Sequence, residues 1–413
     1  MNAWKHLSIA ALGLALTACS TLSLDVEQPG TATLTPVEVT VGPTEAVAPS
    51  ATPPAADPTA TEAPAAALLP GAVYYLSAAD GQIWRVAADG RTLTQITHER
   101  AAISEFDVSP VDGALAYVTE NLLIRTDAEG GQRTVLLTGP ALTGAEGEFI
   151  TSLVHTPLWS PDGQTLAFGL NGVNLIPAAG GTPQMIQASD AIPQTRAEAR
   201  FYRPYAWSPD GARLVMAVNY WQEGLAYAVK DLSQPAVTPS DITVACCEPV
   251  WSRDSQSLYF FGADVEGYNQ PGLWRVNAAT GEAETLIEGR DPNSTTVRTV
   301  RYAFEAPDGT LYFWLAAQTP NVDFIYPQPP LYQLYALPAG AAAGTEPGLV
   351  RGDSLAVNYG GVAWSAEAPA GVLVGMTDPD LMGKPGGPLV WVPLDPASPT
   401  VELPADGSAL RWQ

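Results

Sequence analysis

Beyond about residue 70, apolar and polar positions alternate over short runs, and each run is closed by turn residues. The clearest case is an apolar stretch ending in Trp159, then Ser160-Pro161-Asp162-Gly163, then Gln164-Thr165-Leu166-Ala167-Phe168. It returns as Trp207-Ser208-Pro209-Asp210-Gly211 before Ala212-Arg213-Leu214-Val215-Met216. Proline presets φ at the second turn position, serine and aspartate bond to local backbone, and glycine takes the fourth place of a type I turn. Period-two strands on either side of such a turn predict a β-hairpin, and its recurrence predicts a repeat fold.

The serine position of this hairpin serves as a ruler. Partial copies occur at Asp107-Val108-Ser109-Pro110-Val111-Asp112-Gly113, Val250-Trp251-Ser252-Arg253-Asp254, Phe304-Glu305-Ala306-Pro307-Asp308-Gly309 and Ala363-Trp364-Ser365. Successive copies lie 51, 48, 44, 54 and 59 residues apart, slightly more than the roughly 40–45 of a compact propeller blade. Each hairpin is followed by a third alternating strand, a turn such as Ala278-Ala279-Thr280-Gly281, and a fourth strand. Four antiparallel strands per repeat predict an all-β β-propeller of four-stranded blades. The first repeat opens without an inner strand, and Ala409-Leu410-Arg411-Trp412-Gln413 matches the run before each turn. The C-terminal strand is therefore expected to close the ring as the inner strand of the first blade, giving seven blades; six is the alternative. Closure of this kind removes an exposed sheet edge.

These residues resemble the TolB-like family of WD40-like propeller repeats, whose signature is the Trp-Ser-Pro-Asp-Gly hairpin followed by an apolar strand. The resemblance covers about residues 72–413 and implies a propeller at the cell envelope. The separate N-terminal α/β domain of TolB has no counterpart in the sequence, and no hydrolase domain follows the repeats as it does in peptidase relatives.

The N-terminal segment has a different composition. Residues 1–18 carry Lys5, an apolar run from Leu7 to Leu16 and the small residues Thr17 and Ala18, the layout of a secretory signal. Leu16-Thr17-Ala18-Cys19 resembles the lipobox of bacterial lipoproteins, which implies cleavage before Cys19, lipid on that residue and a membrane as partner. Ser20 follows, so an aspartate-type inner-membrane retention signal is absent. From Cys19 to Pro70 the chain is rich in Thr, Pro and Ala, with no aromatic residue and no Lys or Arg. Such a tract buries too little apolar surface to fold and reads as an extended acidic tether before a domain at 71–413.

Charge narrows the functional classes. The chain has 43 Asp+Glu against 19 Lys+Arg, a net charge of −24, which opposes nucleic-acid binding. With three histidines, His6, His98 and His155, a multi-histidine metal centre is not expected, and this argues against the lyases that share the propeller family. No cofactor is expected: phosphate-loop and dinucleotide fingerprints are absent, and so is a Gly-x-Ser-x-Gly elbow.

Residues that recur at one repeat position belong to the scaffold. Trp159, Trp207, Trp251, Trp364 and Trp412 share one position, and Trp84, Trp274 and Trp391 another; both sets are expected to pack between sheets. Departures from repetition are the better candidates for a site. The loops joining each outer strand to the next inner strand share one face of the disc and hold Arg100, Arg196, Arg200, Arg203, Arg290, Arg298, Arg301 and Arg351. His155, Arg203, Cys247 and Arg301 stand four residues before the aligned Trp position, with Glu105 and Glu248 one step further in. Arginine forks match carboxylate or phosphate, so Arg203, Arg301, Glu105, Glu248 and His155 are expected to form a channel-mouth site for an anionic small molecule or acidic peptide. Intramolecular pairing of these arginines is the competing expectation. Cys246 and Cys247 open the fifth inner strand at the same mouth, either as a vicinal disulfide flooring a pocket or as two small thiols. The Pro- and aromatic-rich insertion from Gln318 to Pro330 is a candidate contact loop at the same mouth or a rigid bulge. Arg351-Gly352-Asp353 matches an adhesion tripeptide by chance. The expected role is a lipid-anchored binding or scaffolding module for an envelope protein or anionic ligand. The alternative is an extracellular enzyme acting on glycan or peptide at the mouth.

Overall fold

Each Ser-Pro-Asp-Gly turn closes as its residue types dictate. The Gly163 N–H donates to the Ser160 carbonyl at 2.9 Å and the Gly211 N–H to the Ser208 carbonyl at 2.8 Å. The serine hydroxyl then donates to the aspartate two residues on, Ser160 to Asp162 at 2.6 Å, Ser208 to Asp210 at 2.6 Å and Ser252 to Asp254 at 2.7 Å. In the degenerate copy Ser255 occupies the glycine place with φ 61°. Its hydroxyl accepts the Asp210 N–H at 3.1 Å, so it ties one turn to the next.

The computed structural model describes residues 67–144, 147–191, 199–220, 225–234, 239–242, 248–262, 270–290, 293–320, 330–355, 357–365, 371–376 and 387–413. All belong to one compact unit, Ala63–Gln413. The strands build an all-β propeller. Strands β4 (Glu105–Val108), β5 (Leu115–Thr119), β6 (Leu122–Thr126) and β7 (Thr134–Thr138) form one antiparallel sheet in chain order. The next contains β8 (His155–Trp159), β9 (Thr165–Gly169), β10 (Gly172–Pro177) and β11 (Gln184–Ala188). A third contains β12 (Arg200–Trp207), β13 (Arg213–Tyr220), β14 (Leu225–Asp231) and β15 (Ser240–Ile242). A fourth contains β16 (Glu248–Trp251), β17 (Ser257–Gly262), β18 (Gly272–Asn277) and β19 (Ala283–Glu288). A fifth contains β20 (Val297–Glu305), β21 (Leu311–Gln318), β22 (Tyr332–Leu337) and β23 (Gly348–Leu355).

The remaining strands join in one seven-stranded sheet. It runs β24 (Val357–Trp364), β25 (Gly371–Met376), β26 (Gly387–Pro393), β27 (Val401–Trp412), β1 (Val73–Ser77), β2 (Ile83–Val86) and β3 (Leu93–Gln95). Strand β27 joins the two ends of the unit. Its first half pairs with β26, Trp391 facing Val401, and its second half pairs with β1, Val73 facing Trp412. The C-terminal residues therefore do lie beside β1, but the expected count of seven separate blades is corrected. Among the described residues six sheets form, as in the six-bladed alternative, because β27 runs on from the end of one four-stranded set into the start of the next.

The core lies between neighbouring sheets. Val215, Ala217, Tyr227 and Val229 of the third sheet pack on Trp251, Leu258, Phe260 and Val276 of the fourth. Three aligned tryptophans also bond back to the preceding inner strand. The Trp207, Trp251 and Trp364 indoles donate to the carbonyls of Leu158 at 3.3 Å, Ala206 at 3.3 Å and Tyr302 at 2.9 Å. Trp391 meets Trp412 edge to face at 5.9 Å. The repeated tryptophans are therefore scaffold, as their repetition predicts.

Candidate functional site

The inner strands carry the chemistry. On β4 the alternation places Phe106 and Val108 in the core and turns Glu105 and Asp107 towards β8. The Glu105 carboxylate accepts the N–H of Thr156, and the Asp107 carboxylate accepts that of Trp159 at 2.8 Å. An inner strand has one unpaired edge, and here two carboxylates of the preceding sheet satisfy its N–H groups. Asp107 also receives Arg411 Nε at 3.0 Å from β27, across 304 residues of chain. Burial pushes the Asp107 carboxyl up, against the Arg411 charge and the Trp159 N–H. Asp107 thus ties three inner strands together.

His155 begins β8, opposite Gly169 of β9. A Cβ on Gly169 would lie 1.9 Å from His155 Cε1, so only glycine leaves room for the imidazole there. The next residue, Thr156, has φ 49°, an unfavourable region for a β-branched residue, at a bulge that ends the regular pairing between His155 and Leu158. His155 Nδ1 lies 3.2 Å from Thr156 Oγ1. The approach to β8 is pinned by Asn121, at the turn after β5. Its amide donates to the Pro140 and Ser152 carbonyls at 2.9 and 3.0 Å, and its oxygen accepts the Val154 N–H at 2.7 Å.

Glu105, His155 and Arg203 share one cavity of about 490 Å³, with Ser104, Asn121 and Asn219 also on its walls. Burial pushes the His155 imidazole below its ordinary value; Glu105 opposes that shift and the Arg203 charge adds to it. Among the described residues, no carboxylate lies within salt-bridge distance of the Arg203 guanidinium. Burial raises the Glu248 carboxyl, and the Arg301 charge opposes that rise. Burial raises the Tyr205 phenol well above the ordinary value; the Glu248 charge adds to that rise and the Arg203 charge opposes it.

The structure thus brings Glu105, His155 and Arg203 together on one cavity wall, and neither Glu248 nor Arg301 lines that cavity. Of the other basic residues, Arg100 is exposed, Arg290 and Arg298 line a separate peripheral groove, and Arg351 is buried far from the cavity wall residues in sequence and in contacts. Cys19, Arg196, Cys246, Cys247 and positions 321–329 of the proline-rich insertion lie outside the described residues. Sequence reasoning missed Asp107, Arg411 and Tyr205. The two-residue alternation on β4 is the signal that pairs Asp107 with Glu105.

The His155 environment has a measurable consequence. The unfolded chain takes up a proton near the ordinary histidine value of about 6.5, whereas the folded chain resists it. Stability is expected to be level above that pH and to fall as pH drops from it towards the lower folded value. Urea midpoints measured from pH 8 to pH 5 should show a shallower decline in His155→Gln.

No protein-family model matches the sequence, and no curated protein matches it. Solved structures do share its fold. The tricorn protease is similar over 83% of this chain and 34% of its own, with 12% identity and a TM-score of 0.51. A puromycin hydrolase is similar over 82% of this chain and 53% of its own, with 13% identity and a TM-score of 0.51. The chain therefore spans about a third of one and about half of the other. TolB from Acinetobacter baumannii matches over 80% of this chain and 77% of its own, with 12% identity and a TM-score of 0.41. The likenesses to the tricorn protease and the puromycin hydrolase support the propeller fold.

Proposed function

We propose that the protein is an extracytoplasmic, lipid-anchored propeller that binds an anionic small molecule or an acidic segment of an envelope protein at the cavity of Glu105, His155 and Arg203. The observation that carries this reading is Arg203, half-buried in a cavity wall with no carboxylate within salt-bridge distance among the described residues. A guanidinium held in partly desolvated surroundings gains from a carboxylate or phosphate partner far more than one in water. Beside it, His155 offers a ring edge and Asn219 an amide. The anchor rests on the sequence of residues 1–19, which resembles a secretory signal ending in a lipobox, and the TolB-like repeat agrees with an envelope location.

Binding is favoured over catalysis because the carboxylates are occupied structurally. Glu105 holds the Thr156 N–H, and Glu248 is half-buried under the charge of Arg301. A pair free to act as acid and base is not assembled from these two residues. The test is affinity capture from envelope extract on wild-type protein and on Arg203→Ala, with mass spectrometry of retained proteins and small molecules. At least one acidic partner or anionic compound should be lost, by about tenfold or more, from the variant. Arg301→Ala should change the retained set less. Identical sets from wild type and Arg203→Ala would overturn the reading.

A further inference from the structure

The cavity of Glu105, His155 and Arg203 carries charges of both signs that do not neutralise each other. Glu105 stands on β4 and Arg203 on β12, and β8 packs against both of these inner strands. Both charges act on the imidazole of His155 at the start of β8, yet no ion pair joins them. One Glu105 oxygen accepts the Thr156 N–H; among the described residues no donor reaches the other. His155 adds no charge at neutral pH, because burial holds it below its ordinary value. The remaining charge of the lining, Glu120, is exposed at the turn after β5.

The rest of the wall is largely apolar. Leu153, Val154 and Phe201 line the cavity, and Val154 and Phe201 are otherwise buried. Asn121 fixes this stretch by holding the Ser152 carbonyl and the Val154 N–H on either side of Leu153. The wall is therefore preformed. A carboxylate that meets Arg203 brings its charge near Glu105 as well, so a ligand gains when its other end is positive.

We infer that this cavity binds a zwitterionic amino carboxylate of about dipeptide size with apolar side chains. Its carboxylate meets Arg203, its ammonium meets the free oxygen of Glu105, and its body lies on Leu153, Val154 and Phe201. The inference rests on the reading above that Arg203 takes a carboxylate, and it adds the nature of the rest of the ligand. A volume of about 490 Å³ lies within the roughly 300–1,000 Å³ of small-molecule sites.

The probe is leucyl-leucine, titrated calorimetrically into the full-length protein at neutral pH. Its acetylated form keeps only the carboxylate, and its amide keeps only the ammonium. Saturable binding of the free dipeptide is expected, with both blocked forms at least about tenfold weaker, the usual effect of losing one charged hydrogen-bonding partner. Arg203→Ala should weaken the free dipeptide by a similar factor. Glu105→Gln keeps an oxygen to accept the Thr156 N–H, and its fold is checked by circular dichroism and urea midpoint. It should erase the preference for the free dipeptide over the acetylated form. Arg298→Ala, on the peripheral groove, leaves the affinity unchanged. Acetylated dipeptide binding as tightly as the free one would overturn the inference and leave the reading of Arg203 standing. Equal binding of the free dipeptide to wild type and Arg203→Ala would overturn both. No binding of the free dipeptide would overturn the inference alone, and capture from envelope extract would still decide the role of Arg203.

Discussion

Deleting Ser408–Gln413 is expected to abolish cooperative unfolding of the propeller and to yield associated species on size exclusion. These residues are the second half of β27, which pairs with β1 from Val73–Trp412 to Leu76–Ser408. Without them β1 becomes a bare edge, a template for pairing with another chain. Leu410, 2% exposed, leaves a core it shares with Val73, Val86 and Trp391, a loss of about 2 kcal/mol for a side chain of this size. Arg411, itself 41% exposed, leaves Asp107, whose side chain is 15% exposed; for a pair open to solvent on one side the loss is about 1 kcal/mol. The sum, about 3 kcal/mol before the lost ladder is considered, is a large fraction of the stability of an ordinary domain. Urea unfolding of the truncated chain decides the matter: a transition at the wild-type midpoint would show that closure is dispensable.

The same strand shows where sequence reading reached its limit. The hairpins were legible because their chemistry is local: a serine hydroxyl, an aspartate and a glycine within four residues make the turn regardless of what lies beyond. The closing strand was legible too, from the likeness of Leu410-Arg411-Trp412 to the runs before each turn. Its continuity was not. Gly407 faces both Gly387 and Ser77 within one strand. A Cβ there would lie 2.1 Å from the Leu76 carbonyl oxygen, so this glycine serves close approach of backbone and not a turn. That contact depends on a neighbour more than 300 positions away, and no local pattern reports it. The cavity divides in the same way. Glu105, His155 and Arg203 emerged from repeat alignment because equivalent positions on inner strands converge on the channel. The seat for His155 on Gly169 and the Asp107–Arg411 pair depend on register between strands, which alignment does not carry.

Arg351 supplies the other large expected effect. In sequence it opens an Arg-Gly-Asp tripeptide on β23; in the structure it is 3% exposed. One terminal nitrogen donates to the carbonyls of Pro393, Asp395 and Ser398, each at 2.8 Å, and the other to Asp353 at 2.6 Å. The Pro393 carbonyl ends β26 and the other two belong to the connection that leads on into β27, so a single guanidinium fastens the fifth sheet to the segment that closes the ring. A receptor that reads Arg-Gly-Asp needs both charged ends in solvent, and here one is inside. Arg351→Met keeps the apolar stem and removes the donors to three backbone carbonyls; a loss of about 2–3 kcal/mol is expected. Arg351→Lys keeps the charge but replaces the planar fork with a point donor, and should fall between wild type and Arg351→Met. Asp353→Ala, at a side chain 45% exposed, should cost less than about 1 kcal/mol. Urea midpoints of the three variants test the ranking directly. Equal midpoints for wild type and Arg351→Met would mean that the connection is held without the guanidinium, and that β27 is positioned by its ladders alone.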